Sequence, residues 1–181
     1  EKMKANINKD PLTGLYNRGS YIEKMNEINS NNIRYIFGIF DLFRLKYIND
    51  NFSHELGDKY IIKTSEILNK YFPTEICIKD ENDEPKKILT GTNLYRIGGD
   101  EFIVITDTDD EIIVREKATK SSEEVEHIDL NTEENIILGL NYGIVLRKPN
   151  ESAEELYVRS DKELSLNKTA MYKKYNLDRR K

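Results

Sequence analysis

The run Arg96-Ile97-Gly98-Gly99-Asp100-Glu101-Phe102-Ile103-Val104-Ile105 sets two glycines and two adjacent carboxylates between short stretches rich in apolar and β-branched residues. That pattern reads as a β-hairpin with glycine at its tip and its acids facing one site. Glycine has no Cβ, so a phosphate can come close to that backbone, and side-by-side carboxylates are hard oxygen ligands suited to Mg²⁺. Alone, such a run is also what an ordinary turn with solvated acids would carry. A second acidic segment decides between the two. The apolar run over residues 33–40 is long enough for one buried strand, and Asp41 falls where it stops. Two such strands side by side bring Asp41 towards Asp100 and Glu101. Carboxylates gathered in this way repel one another unless a cation sits among them. Because Mg²⁺ completes its shell with water and substrate phosphates, the chemistry implied is a nucleoside-triphosphate site with one or two metals.

The elements that must position these groups follow from periodicity. Apolar residues at helical spacing over residues 17–28 predict a first helix, followed by a polar break and the strand at 33–40. Residues 43–51 predict a short helix and residues 57–71 a longer one, with Gly57-Asp58 as its turn and N-cap. The mostly charged stretch 79–87, containing Pro85, reads as an extended hairpin or solvated loop. Strands are predicted at 94–97, 101–106 and 136–146, a charged helix at 109–127, and a closing helix at 151–174 capped by Asn150 or Ser152. Strand–helix alternation with an intervening hairpin fits an α/β fold, a central mixed sheet flanked by helices.

The chain has 181 residues, enough for one domain with a substantial core. Its net charge of −5 lacks the broad basic field that duplex nucleic acid requires, so no nucleic-acid partner is expected. Cys77 is the single cysteine and reads as a small buried apolar residue. No apolar run is long enough to cross a bilayer and no signal peptide is visible, so this segment is expected to make no direct membrane contact. The opening at Glu1 rather than Met reads as an excised domain, with residues 1–9 ending an upstream linker or signalling helix, 10–175 the domain proper, and 176–181 a polar tail.

Four ordered blocks carry a family resemblance: Asp10-Pro11-Leu12-Thr13-Gly14-Leu15-Tyr16-Asn17-Arg18, Asp41-Leu42-Phe43-Arg44-Leu45-Lys46-Tyr47-Ile48-Asn49-Asp50, His54-Glu55-Leu56-Gly57-Asp58, and Gly98-Gly99-Asp100-Glu101-Phe102. Together they resemble the GGDEF domains, whose fold is similar to the palm of nucleotidyl cyclases and polymerases. The resemblance implies a diguanylate cyclase: two GTP condense into cyclic di-GMP with release of two pyrophosphates, Mg²⁺ or Mn²⁺ assists, and a homodimer brings two half-sites together. It further implies a cytoplasmic location and an upstream sensor or dimerising domain. By family match, Asp41, Asp100, Glu101 and the main-chain carbonyl of Leu42 are metal ligands. Asp100, Glu101 and Lys46 are the catalytic groups, with Glu101 either a further ligand or the base for the 3′-hydroxyl. Asn49 and Asp58 read guanine. Phosphate contacts come from the N–H groups of Phe43, Arg44 and Leu45, the Gly98-Gly99 backbone, and the cations Lys46, Arg96 and Lys168. His54 is expected to be structural, and His127 carries no signal.

The chain departs from the pattern in three places. Phe43 replaces the second acid of the family's D-x-D, a change expected to leave activity intact. Met171 and Tyr172 stand where the closing helix usually has glycine and arginine, with Lys173 or Lys174 the available replacements. Leu89-Thr90-Gly91-Thr92 occupies the place of the R-x-x-D product-inhibition motif, so tight binding of cyclic di-GMP there is not expected. These changes leave a competing reading: a catalytically silent module that binds GTP and relays a signal to a neighbouring domain.

Overall fold

In the computed structural model, which describes residues 7–177, the elements run α1 (Arg18–Asn29), β1 (Ile36–Leu42), α2 (Leu45–Asn51), α3 (His54–Tyr71), β2 (Glu75–Lys79), β3 (Pro85–Leu89), β4 (Thr92–Arg96), β5 (Glu101–Thr106), α4 (Glu111–Glu126), β6 (Leu140–Leu146) and α5 (Ala153–Lys174). The expected helix at the upstream end of the chain lies mostly outside the described residues. The main sheet has the order β4-β5-β1-β6. All its ladders are antiparallel, where a sheet of mixed direction was expected. Among the described residues, parallel pairing is confined to a bridge between Tyr16 and Tyr95 on the β4 edge.

β1 lies in the middle of the sheet because its sequence is apolar on both faces. Ile36, Phe40 and Leu42 pack with Tyr60, Leu68 and Val114 of α3 and α4. Phe37 and Ile39 pack on the opposite face with Ile28 of α1 and Leu156 and Leu164 of α5. Each fully buried side chain of this size contributes roughly 2 kcal/mol. The alternation that buries Phe37 and Ile39 sends the next residue on that face, Asp41, towards α5.

Three expectations need correction. The first strand begins at Ile36, not Ile33, and runs through Asp41 to Leu42. Arg147 accounts for the late start: one Nη of its guanidinium donates to the Ile33 carbonyl, taking it out of the ladder, and the other donates to the Ile28 carbonyl at the end of α1. The cap of α3 is Ser53, whose side chain accepts from Leu56 N–H, so Gly57-Asp58 sits inside the first turns of the helix. Cys77 is exposed, because β2 and β3 form a separate two-stranded hairpin outside the core. The choice at the closing helix falls on Ser152, which forms a capping box with Glu155.

Candidate active site

Register gathers the acids. Asp41 is paired across β1–β5 with Glu101, and across β1–β6 with Asn141, so the three side chains project from one face in a single row. Asp100 stands at the neighbouring hairpin tip, its carbonyl accepting from Leu42 N–H at 2.9 Å. That bond ties the glycine hairpin directly to the end of the Asp41 strand. Asp100 is exposed, whereas Asp41 and Glu101 are half-buried.

A stripe of α5 lies over the row. Lys168 Nζ is 2.8 Å from Asp41 Oδ2, and the Tyr157 hydroxyl donates to Glu101 Oε1 at 3.0 Å. Burial pushes the Asp41 carboxyl up to about 6; Lys168 opposes that rise, and Asp100 and Glu101 add to it. Burial also raises Glu101, with Asp100 and Asp161 adding to the rise against the Tyr157 hydrogen bond. Tyr157 is itself pushed up to about 12, by burial and then by Glu101. The protein thus resists the full ionisation of its own acids, a balance that a bound cation reverses. Among the described residues no three His, Cys, Asp or Glu side chains close on one point. The donors on the row are nevertheless all oxygens, and Asn141 Oδ1 beside Asp41 is buried without a hydrogen-bond partner. That donor chemistry fits an oxygen-preferring divalent ion.

The hairpin tip is held from beneath. Arg96 donates to Asp10 Oδ1 and Oδ2 at 3.1 and 3.3 Å, and to the Gly99 carbonyl at 3.1 Å. Asp10 also accepts from the Thr13 N–H and hydroxyl. Arg96, expected to meet phosphate, is therefore spent on the opening segment and the turn. Neither Gly98 nor Gly99 takes a positive φ. A Cβ at Gly99 would meet only open space, so packing does not call for glycine there.

Other expected phosphate groups are redistributed as well. The Phe43 N–H, expected to be a donor to phosphate, goes to the Gly139 carbonyl at 2.8 Å. That carbonyl also accepts from the buried Tyr60 hydroxyl at 2.7 Å, which in turn accepts from Gly139 N–H at 3.0 Å. The N–H groups of Arg44 and Leu45 follow at the start of α2, with Arg44 left-handed at φ 61° and its guanidinium over the Tyr47 ring. Lys46 is exposed and makes no ion pair among the described residues. Lys168 is paired with Asp41, and Lys174 is paired with Glu126 at 2.7 Å. Asn49, half-buried on α2, leans on α3: a Cβ at Gly57 would run into its Oδ1. Asp58 is the next residue and is exposed, which sets an amide and a carboxylate on adjoining helices. His54, expected to be structural, is exposed at the start of α3.

Sequence reading missed Tyr60, Gly139, Asn141 and Tyr157. A polar Asn inside an otherwise apolar strand was the available signal for Asn141. The others act through contacts that no local pattern announces.

The chain matches the family model described as diguanylate cyclase, GGDEF domain, over residues 7–84 and 86–174. It is 25% identical over 163 residues to the probable diguanylate cyclase DgcJ of Escherichia coli, covering 88% of this chain and 29% of that protein. The coiled coil and GGDEF domain of DgcB from Caulobacter crescentus, solved in complex with c-di-GMP, superposes with a TM-score of 0.75 at 19% identity, covering 93% of this chain and 84% of that one. Diguanylate cyclase SiaD from Pseudomonas aeruginosa, solved with its activator SiaC, gives 0.73 at 19% identity over 93% of this chain and 61% of that one. The chain spans between 25% and 35% of the length of the first three curated relatives it matches.

Proposed function

The chain belongs to the GGDEF family, and from that premise we propose that residues 10–175 form a diguanylate cyclase, which joins two GTP molecules into cyclic di-GMP and releases two pyrophosphates. The observation that carries this reading is the register of Asp41 with Glu101. It keeps one acid from each of two motif blocks on one row, with Asp100 bonded through its carbonyl to the same strand.

Asp41, Asp100, Glu101 and the Leu42 carbonyl would hold Mg²⁺ or Mn²⁺, which when bound acidifies the 3′-hydroxyl and neutralises the leaving pyrophosphate. Glu101 either completes that shell or takes the hydroxyl proton; both roles need it ionised. Asn49 and Asp58 read guanine, the amide meeting the O6/N3 edge and the carboxylate the N1–H/N2–H₂ edge. Adenine leaves those groups unpaired and is rejected. Gly57 serves this by giving the Asn49 amide room against α3. The open space above Gly99 admits substrate, and the N–H groups of Arg44 and Leu45 with the Lys46 ammonium meet the phosphates. Lys168 is the closing helix's contribution to the same charge balance. Arg96 is assigned instead to holding the hairpin. GTP as substrate sets the reaction in the cytoplasm.

A second reading, a GTP-binding relay without cyclase activity, is supported by Tyr172 standing where the family has a phosphate-binding arginine. Incubation of the purified chain with GTP and Mg²⁺, followed by chromatographic separation, distinguishes the two. Cyclic di-GMP and pyrophosphate are expected. GTP that binds but returns unchanged would favour the relay.

A further inference from the structure

We propose that Asn141 supplies a neutral oxygen to the shell of the divalent cation held by Asp41, Asp100 and Glu101, an inference that rests on the metal-dependent reading above. Asn141 is directly opposite Asp41 in the β1–β6 ladder, as Glu101 is in the β1–β5 ladder. Side chains so paired have Cβ atoms about 5 Å apart and share a face. The row Glu101–Asp41–Asn141 is therefore continuous across three strands.

Asn141 is 1% exposed, and its Oδ1 is one of few buried side-chain oxygens without a hydrogen-bond partner among the described residues. A buried, unpartnered carboxamide oxygen is costly, and a leucine of similar size would remove the cost. The flanking backbone is fixed: Tyr142 N–H donates to Asn167 Oδ1, and the Gly143 carbonyl accepts from the Ser160 hydroxyl at 2.8 Å. Gly143 also lets α5 close onto β6, since a Cβ there would meet the Ser160 and Leu164 backbone. The strand that carries the amide is thus fixed against α5, and at 1% exposure the side chain is closed off from solvent.

Charge favours an amide at this place. Three carboxylates and a triphosphate already exceed the charge of one or two divalent ions. A further carboxylate would add repulsion, whereas a carbonyl oxygen adds ligation without charge. No other neutral side-chain oxygen occupies the row, since its remaining members are Asp41 and Glu101.

The test is Mn²⁺ binding by the full chain, followed by electron paramagnetic resonance of free Mn²⁺, together with thermal melting. Asn141→Leu is expected to melt at or above the wild-type temperature and to bind Mn²⁺ about tenfold more weakly. Asn141→Asp, which keeps an oxygen at the same reach but loses the amide N–H, is expected to retain Mn²⁺ binding. Unchanged Mn²⁺ affinity in a folded Asn141→Leu chain would overturn the assignment, as would loss of binding in Asn141→Asp, which points to the N–H. Asn141→Ala, read in the same way, serves if the leucine variant does not fold. Asp41→Asn separates the two levels: if it binds Mn²⁺ as well as wild type, the metal reading itself fails. If Asp41→Asn loses Mn²⁺ and Asn141→Leu does not, only the role of Asn141 fails.

Discussion

Asp100 and Asp41 differ in what they owe to the fold. Asp41 is half-buried and paired with Lys168, so its replacement disturbs both structure and site. Asp100 is exposed, and its structural bond to Leu42 is made by the backbone carbonyl. Asp100→Ala is therefore expected to melt within a degree or two of wild type while product formation falls below detection, because a lost metal ligand removes several kcal/mol of transition-state stabilisation. A variant with wild-type melting and substantial turnover would remove Asp100 from the metal site. Asp10 acts through Arg96, which it holds beneath the hairpin tip. Burial would raise its pKa, but hydrogen bonds from Thr13 and Arg96 outweigh burial and hold the carboxyl below the usual range. A depressed carboxylate contributes stability above its unfolded pKa and loses it as pH falls through the folded one. Asp10→Asn should therefore be less stable than wild type at neutral pH, by about 1–2 kcal/mol, since the part-buried guanidinium loses a charged acceptor but keeps the Gly99 carbonyl. In urea titrations the two midpoints should converge below about pH 4. A constant gap across that range would mean the charge of Asp10 is not what holds Arg96.

Two departures from the family pattern meet between elements. Phe43, at the β1–α2 junction, packs edge-on against Tyr172 of α5 at 5.0 Å between ring centroids, and Tyr175 approaches at 6.1 Å. Met171 reaches over Gly139 beside them. Where the family has an acid and an arginine, this chain has an apolar seam that locks the closing helix onto the site. Phe43→Asp alone is expected to destabilise by about 3 kcal/mol or more, since it loses a buried ring and buries a carboxylate. Adding Tyr172→Arg is expected to recover part of that loss, with a coupling of about 1 kcal/mol or more. Strictly additive effects in the double variant would show that the two positions are independent. α2 and α3 form a second junction. Asp58→Ala and Asn49→Ala are expected to weaken GTP binding and erode its preference over ATP in calorimetry; unchanged selectivity in both would put guanine recognition elsewhere. The elements themselves were largely legible. Residues 101–106 are legible to the residue, because a continuous apolar run that starts straight after the Gly-Gly turn leaves little choice of where the strand begins and ends. The partners were not: Arg96 finds Asp10 86 positions away, and Phe43 and Tyr172 looked like separate anomalies because sequence does not show that they touch. Local pattern reveals which residues are polar inside an apolar run, but only the packed sheet reveals what they face.

At the scale of the whole molecule, the proposed chemistry asks for more than one copy of this fold. On the proposed reading, one domain with one guanine-reading pair would hold one GTP, whose 3′-hydroxyl would have to reach the α-phosphorus of another. Two identical half-sites facing each other across a two-fold axis satisfy both attacks with one interface. Pre-alignment then replaces a collision between two loaded domains, a gain that well-oriented reactions measure in effective molarity. Asp100 is exposed at the hairpin tip beside the half-buried Asp41 and Glu101, so a second copy could present its nucleotide there. Among the described residues no helix is long and apolar enough to cross a membrane. The 181-residue chain by itself is expected to be mostly monomeric and slow. Its specific activity should rise with protein concentration, and rise strongly when a parallel coiled coil fused before Glu1 holds two copies in register. Sedimentation and initial rates measured over the same hundredfold dilution series decide the matter. Specific activity that stays flat while sedimentation reports only monomer would mean that one copy completes both transfers, and the two-fold arrangement would have to be abandoned.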